Sequence, residues 1–150
     1  LGLLQRDLAR RHIRVVTDFA DTLPNVLADP ILVEQVLINL VRNAADALGD
    51  TPSSALAASS APTIRITVSQ AGTQGVRVAV DDNGCGLGGR SVEELTAPFH
   101  STKADGMGMG LAICRSVIEA HHGTLEAGAS DLGGARLSFT LPVAPPQSAP

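Results

Sequence analysis

The chain has 150 residues, of which 44% are hydrophobic and 17% charged, and its formal net charge at pH 7 is −4. This length suits one domain, and the balance of apolar and charged residues excludes a largely disordered chain. The negative charge argues against a broad nucleic-acid-binding face, and no apolar run approaches the ~20 residues that span a bilayer. Two cysteines, Cys85 and Cys114, are too few for a disulfide framework and match no zinc-ligand spacing. We expect one globular, cytosolic domain with no nucleic-acid partner and no direct membrane contact.

The N-terminal part of the chain predicts a helix followed by extended segments. Residues 1–11 carry leucines along one helical stripe, so we expect the tail of an amphipathic helix from a preceding domain. Residues 12–19 have the pattern of a strand, and residues 25–29 are typical of a second short extended piece.

A long helix is predicted next. Asp29 suits the N-cap and Pro30 suits the first helical position. Apolar residues then recur at three- and four-residue steps as far as Leu48, and Gly49 ends the helix. Residues 49–62 are rich in alanine, serine and proline, which predicts a flexible insertion.

The second half of the chain predicts strands on both sides of another helix. Segments 63–69 and 76–82 alternate as the two strands of a hairpin do. A glycine-rich irregular region covers residues 83–110, and a helix then begins at Leu111 and is capped by Gly123. The remaining segments are two strands and a linker-like tail, at residues 124–127, 136–141 and 143–150. This order predicts an α/β fold with helices on one face of a mainly antiparallel sheet.

A polar stripe runs along the first long helix. Gln35, Asn39, Asn43 and Asp46 follow one another at steps of four, four and three residues. Asparagine is a mediocre helix former, and its carboxamide oxygen is a neutral ligand suited to a Mg²⁺ ion shared with phosphates. A solvated helix face would explain the stripe equally well, so the stripe alone leaves both interpretations open.

A carboxylate and alternating glycines come directly after a predicted strand. Asp82 is followed by Gly84 and Gly86, a pattern that lets the backbone approach a flat ligand while the carboxylate accepts from an exocyclic amine. Adenine offers such an amine. An ordinary Asp-Asn-Gly turn without any ligand is the alternative.

A second glycine run precedes the later helix. Gly106, Gly108 and Gly110 leave backbone N–H groups able to face an anion, and a helix N-terminus adds a favourable partial charge. A flexible loop before a helix is the alternative. Phe99 lies between the two runs and suits a lid with a hydrophobic anchor, and Lys103, the only lysine, could reach terminal phosphates as a mobile charge.

In this order, the four motifs resemble the catalytic ATP-binding domain of sensor histidine kinases. They correspond to that family's asparagine box (Asn39 and Asn43), first glycine box, phenylalanine box and second glycine box. The resemblance covers residues 12–142. The residues of the asparagine box and of the lid most resemble those of the nitrogen-regulatory and oxygen-sensing subgroup.

The resemblance implies the two-layer ATP-binding sandwich of this superfamily, with a mixed, mainly antiparallel sheet and helices on one face. It implies that Asn43 binds Mg²⁺, that Asn39 lines the same pocket, and that Asp82 accepts from the adenine amine. Lys103 and Arg42 would compensate charge on the γ-phosphate, and Asn39, Asn43 and Lys103 would form the catalytic set. The nucleotide-contacting residues would be Asn39, Arg42, Asn43, Asp46, Asp82, Gly84, Gly86, Leu87, Phe99, Thr102, Lys103, Gly106, Met107, Gly108, Met109, Gly110 and Leu111.

The resemblance also implies boundaries and partners. Residues 1–11 would be the tail of a dimerisation helix, residues 12–142 the catalytic domain with an ATP lid at 88–107, and residues 143–150 a linker. The phosphoacceptor histidine would lie on a separate helical dimerisation domain, and a response regulator receiver domain would take the phosphoryl group onward. We expect a dimeric parent protein, and a monomeric isolated fragment that binds ATP without phosphorylating itself appreciably.

Three positions depart from the family pattern. Asp46 stands where many relatives carry lysine or arginine, Ala47 where many have an aromatic residue, and Ala135 where a strand hydroxyl is common. These departures predict reduced nucleotide affinity and keep a degenerate, non-catalytic binding or interaction domain as an alternative. Another ATPase or an anti-sigma serine kinase of the same superfamily is a further alternative. The absence of glutamate at position 39 argues against a hydrolytic ATPase, and the amino-acid sequence of the lid argues against the serine kinase.

Overall fold

The fold was analysed in a computed structural model that describes residues 2–52, 60–73, 75–97 and 110–145. The strands are β1 (Arg14–Phe19), β2 (Thr63–Ala71), β3 (Gly75–Asp82), β4 (Thr124–Ala129) and β5 (Ala135–Pro142). The helices are α1 (Gly2–Arg10), α2 (Pro30–Gly49), α3 (Val92–Leu95) and α4 (Gly110–Ala120). Half of the predicted insertion, residues 53–59, and half of the predicted lid, residues 98–107, lie outside the described residues.

The five strands form one mixed sheet in the order β1-β2-β3-β5-β4. Only the β1–β2 pair is parallel, and the other three pairs are antiparallel, so the predicted mainly antiparallel sheet is confirmed. The register places Asp81 opposite Arg136 and Asp82 opposite Ile64. Because successive side chains of a strand point to opposite faces, Asp81 and Asp82 lie on opposite sides of the sheet.

The core fills the space between the sheet and the helices on one of its faces. Its fully buried side chains include Leu40 of α2, Ile64 of β2, Ile118 of α4 and Phe139 of β5. Leu8 of α1 belongs to the same cluster. Part of the apolar stripe of α1 therefore packs on this domain, and the assignment of residues 1–11 to the tail of a preceding dimerisation helix stays a prediction.

The ends of α2 show which cap prediction is right. Asp29 caps the N-terminus, since its carboxylate accepts from the N–H groups of Ile31 at 2.9 Å and Leu32 at 3.3 Å. At the other end the helix stops at Gly49, as predicted, but the glycine is not the cap. Gly49 is the last helical residue and Asp50 is the C-cap, in a right-handed conformation, so no left-handed glycine closes the helix.

At the end of α4 the left-handed residue is His122, with φ of 61°, instead of the predicted Gly123. The N–H of Gly123 donates to the carbonyl of Ile118 at 2.9 Å, which completes the helix end. A side chain at Gly123 would collide with the Thr140 carbonyl of β5. Glycine is thus required there for the close approach of α4 to the sheet, while its neighbour makes the turn.

Two further predictions of local structure are wrong. The region predicted as irregular contains α3, whose N-cap Ser91 accepts from the Glu94 N–H at 3.2 Å while the Glu94 carboxylate accepts from the Ser91 N–H at 2.9 Å. The predicted second extended piece is no strand, because only Val26 pairs, through a single bridge to Val143.

Candidate functional site

Asp82 ends β3 on the helix-bearing face of the sheet, and its side chain is held by backbone. One carboxylate oxygen, Oδ1, accepts from the N–H of Gly84 at 2.8 Å and from the N–H of Ala135 at 3.2 Å. Its other oxygen, Oδ2, accepts from no donor in the described part of the chain. Asp82 is 4% exposed, and burial raises the pKa of its carboxyl above the ordinary value, partly offset by these two hydrogen bonds. The result is a fixed carboxylate with one oxygen available to a ligand donor.

Glycines lie around Asp82 for two reasons, close neighbouring atoms at Gly84 and Gly134 and a left-handed backbone at Gly86. A Cβ at Gly84 would lie 3.2 Å from the carbonyl group of Ala47, where the loop after β3 passes α2. A Cβ at Gly134 would collide with the Asp82 carboxylate and lie 2.6 Å from the Gly84 nitrogen. Gly86 has φ of 75°, in the left-handed region. The sequence prediction missed Gly134, because only the pairing of β3 with β5 brings it to Asp82.

The polar stripe of α2 lies partly against α4. Asn39 and Asn43 are half-buried, whereas Gln35 is exposed, so a fully solvated face does not describe the stripe. Asn39 lies close enough to the buried Cys114 thiol of α4 to lower its pKa, which burial raises, while that thiol donates to the Val36 carbonyl at 4.0 Å. Asn43 follows one turn later, and Ala47 follows one turn after that, against Gly84. The stripe therefore leads from α4 to the Asp82 loop.

Asp46 of the same stripe carries an ion pair with the chain segment that follows α1. Arg11 contacts Asp46 through Nη1 at 3.1 Å and Asp7 through Nη2 at 3.1 Å. The hydrogen bond to Asp46 is the largest cause that raises the pKa of the Arg11 guanidinium. Arg11 had no place in the predicted site, since 35 residues separate it from Asp46. Arg42 is exposed on the neighbouring side of α2.

The other predicted site residues fall at the N-terminus of α4 or outside the described residues. Gly110 is the first residue of α4, and Leu111 and Leu87 are half-buried against the core. Arg115 of α4 donates to the Thr96 hydroxyl at 3.1 Å, which ties the end of α3 to α4. The predicted contacts not described are Phe99, Thr102, Lys103, Gly106, Met107, Gly108 and Met109.

No cluster of histidine, cysteine, aspartate and glutamate side chains among the described residues could hold a metal ion by itself. A metal shared with a ligand needs fewer protein donors, and the Asn43 carboxamide oxygen is a hard neutral donor that fits Mg²⁺ in that role. In the same part of the chain, no helix has the length and apolar character to cross a membrane.

Comparison with known proteins gives the family. The family described as "Histidine kinase-, DNA gyrase B-, and HSP90-like ATPase" matches residues 28–145. The C4-dicarboxylate transport sensor protein DctS of Rhodobacter capsulatus is 40% identical over 144 residues, which cover 95% of this chain but 21% of DctS. This chain thus spans about a fifth of that relative's length.

Two solved structures share the fold. The nucleotide-free catalytic domain of histidine kinase ThkA has a TM-score of 0.73 at 28% identity, with 94% of this chain and 86% of that chain covered. Full-length ShkA in complex with AMPPNP has a TM-score of 0.73 at 27% identity, with 95% of this chain and 30% of that chain covered. With the family match over most of its length, this chain belongs to the histidine kinase-, DNA gyrase B- and HSP90-like ATPases.

Proposed function

We propose that this chain is the cytoplasmic ATP-binding catalytic domain of a two-component sensor histidine kinase. It transfers the γ-phosphoryl group of ATP to a histidine on a separate helical domain, for relay to a response regulator. The observation that carries the proposal is the Asp82 carboxylate, buried and fixed through Oδ1, with Oδ2 open to a donor. The sensor protein DctS and the AMPPNP complex of ShkA support the same conclusion.

The base end of the proposed site is built around Asp82. Its Oδ2 accepts a hydrogen bond from the exocyclic amine of adenine, the donor that the sequence pattern predicts. Gly84 and Gly134 remove the side chains that would otherwise fill the space beside the carboxylate. A hydrogen bond to a charged group contributes roughly 1.5–3 kcal/mol, so this one contact accounts for a large part of base selectivity.

The phosphate end of the proposed site is built on α2 and on the N-terminus of α4. Asn43 would hold Mg²⁺, which would supply positive charge to offset that of the phosphates. Asn39 and Arg42 line the same end of the pocket, with Lys103 as the mobile cation. The first N–H groups of α4, from Gly110 onward, have no partner within the helix and favour an anion.

The phosphoryl acceptor comes from another domain. Of the histidines in this chain, His12 and His122 occupy left-handed positions after helices, and His121 bridges the start of α2 and the end of α4. His100 lies outside the described residues. In the proposed reaction an imidazole nitrogen of the partner domain attacks the γ-phosphorus, the bond to the bridging oxygen breaks, and ADP leaves. An acidic residue beside that histidine on the partner domain takes the imidazole proton, and this domain contributes positioning and charge stabilisation.

Titration calorimetry with AMPPNP, with and without Mg²⁺, tests the nucleotide site. We expect saturable 1:1 binding that weakens without Mg²⁺ and in Asn43→Ala. Gln35→Ala, on the same helix but exposed, is the matched control and keeps wild-type affinity. Absence of binding at millimolar nucleotide would contradict the proposal.

Phosphotransfer tests the catalytic claim separately. The chain is mixed with a purified histidine-bearing helical domain of a sensor kinase and ATP labelled on the γ-phosphate. We expect label on the helical domain with wild type and Gln35→Ala, and none with Asn43→Ala. Nucleotide binding without transfer to any cognate helical domain would favour the non-catalytic alternative.

A further inference from the structure

Asp81 is a fully buried carboxylate on the sheet face opposite the proposed nucleotide site. Arg136 donates to it twice, from Nε to Oδ1 at 2.8 Å and from Nη2 to Oδ2 at 3.1 Å. The Ser130 hydroxyl donates to Oδ1 at 2.8 Å, and Arg65 places Nη2 3.4 Å from Oδ2. Asp131 pairs with Arg65 at the rim of this cluster. None of these groups belongs to the site that the motifs predict.

Stability alone is a weak explanation for this cluster. Removing a carboxylate from water is costly, and a buried ion pair is often no more stabilising than well-packed apolar residues would be. A bidentate arginine–carboxylate pair does impose a defined geometry on the strands that carry it. Here those strands are β3 and β5, which pair with Asp81 opposite Arg136.

The geometry fixed on this face is transmitted to Asp82 through the turn between β4 and β5. Ser130 holds Asp81 with its hydroxyl, and its backbone N–H donates to the carbonyl of Gly134 at 2.9 Å. The Gly134 N–H donates to the Asp82 carbonyl at 3.2 Å, and the Ala135 N–H donates to the Asp82 carboxylate at 3.2 Å. A continuous chain of contacts therefore runs from one face of the sheet to the other.

We propose that Asp81, Ser130 and Arg136 are positioning residues for base recognition. They hold the turn that orients the Asp82 carboxylate, so that Oδ2 meets the exocyclic amine of a 6-aminopurine and rejects a 6-oxopurine. The proposal rests on the proposed function and deepens it, since it assigns the selectivity of that site to residues that do not touch the nucleotide.

The test measures selectivity, because a purely stabilising cluster would not change it. Calorimetric affinities for Mg·ATP and Mg·ITP are determined for the full 150-residue chain, since inosine replaces the amine with a carbonyl. Ser130→Ala removes one hydroxyl and Arg136→Met removes the guanidinium but keeps the stem. Arg77→Ala is the matched control, since Arg77 lies on the same face and, among the described residues, pairs with exposed Glu126 and not with the Asp81 cluster. The thermal unfolding curve of each variant is measured to check that the variant is folded at the temperature of the titration.

We expect the ATP-to-ITP affinity ratio to fall by about three- to tenfold in both positioning variants, because a misaligned hydrogen bond to a charge loses part of its contribution to affinity. Arg77→Ala keeps the wild-type ratio. An unchanged ratio with a lower unfolding temperature would overturn the inference and leave the proposed function intact. A wild-type chain that binds ATP and ITP equally would overturn it as well. A wild-type chain that binds neither would overturn both.

Discussion

The base end and the phosphate end of the proposed site are held in place by different kinds of contact. At the base end, Asp82 is oriented by backbone N–H groups and enclosed by glycines, so its position follows from the pairing of β3 with β5. At the phosphate end, Asn39 and Asn43 project from the surface of α2, and Asp46 is held by an exposed ion pair. A collision with the backbone should therefore have its largest effect at the base end, whereas added salt should act mainly at the phosphate end.

The largest effect is expected from Gly134→Ala, which breaks the base end at its backbone. The new Cβ would collide with the Asp82 carboxylate and approach the Gly84 nitrogen. We expect a loss of about 2–3 kcal/mol in the free energy of unfolding, as for overpacked cores, together with loss of detectable ATP binding. Urea denaturation and calorimetric titration measure the two quantities. Gly128→Ala in β4, where a Cβ meets nothing within 4 Å, is the control. Equal losses in both variants would show that the base end is not tightly packed.

Asp82→Asn should separate binding from stability. The amide keeps the acceptor for Gly84 and Ala135 but presents an N–H₂ group to the adenine amine. We expect ATP affinity to fall at least about tenfold, as for a lost hydrogen bond to a charge.

The same substitution should make the nucleotide-free chain more stable at pH 7. Burial raises the pKa of the Asp82 carboxyl, so the native state binds this proton more tightly than the unfolded state does. The wild-type chain therefore loses stability as pH rises through that raised pKa, and Asp82→Asn is spared this loss. Urea denaturation at pH 7 and near pH 4 should show the advantage of the variant shrinking in acid. A variant less stable at pH 7 would contradict the proposed cost of the buried charge.

The difference between local and long-range contacts explains which parts of the site the sequence could predict. The cap at Asp29 and the Asp82–Gly84 pattern are local, so adjacent residues suffice to find them. Gly134, the Asp81–Arg136 pair and Arg11 could not be found in this way, because their contacts join residues 35 to 55 positions apart. Such contacts depend on strand register, which no short motif records.

Local sequence signals gave wrong predictions at two places where another signal or contact competed with them. The capping box that starts α3 has its serine and glutamate three residues apart, but the glycines on both sides favoured an irregular region. Similarly, Gly123 is the residue expected in a left-handed helix end, yet His122 takes that conformation. Gly123 instead allows α4 to approach β5 closely. This tertiary contact outweighs the preference of glycine for the left-handed conformation in an isolated turn.

A smaller effect is expected from Ala135→Thr, which adds to the base end the hydroxyl that many relatives have. Ala135 is 6% exposed and its N–H already binds Asp82, so a threonine hydroxyl there would lie beside the base. We expect ATP to bind about two- to fivefold more tightly, within the range of a net neutral hydrogen bond. Ala135→Val has the same shape without the hydroxyl and serves as the control in the titration. If both variants bind ATP equally, the missing hydroxyl does not weaken the site.

The smallest effect is expected at the phosphate end from Arg11→Ala. The substitution removes one cationic partner of Asp46. The negative charge of Asp46, near the proposed phosphate position, is then less compensated and repels the phosphates more strongly. The pair is more than a third exposed at both side chains, and exposed pairs contribute about 0.2–1 kcal/mol, so ATP affinity should fall by only two- to threefold. The change should shrink further as salt is raised from about 50 mM to about 0.5 M, where charges are screened within several Å.

Arg10→Ala, an exposed neighbour of the same charge, controls for net charge. In an Asp46→Asn background the effect of Arg11→Ala should disappear. A salt-independent loss that persists in that background would mean that Arg11 acts on the site through α1 packing instead of through Asp46.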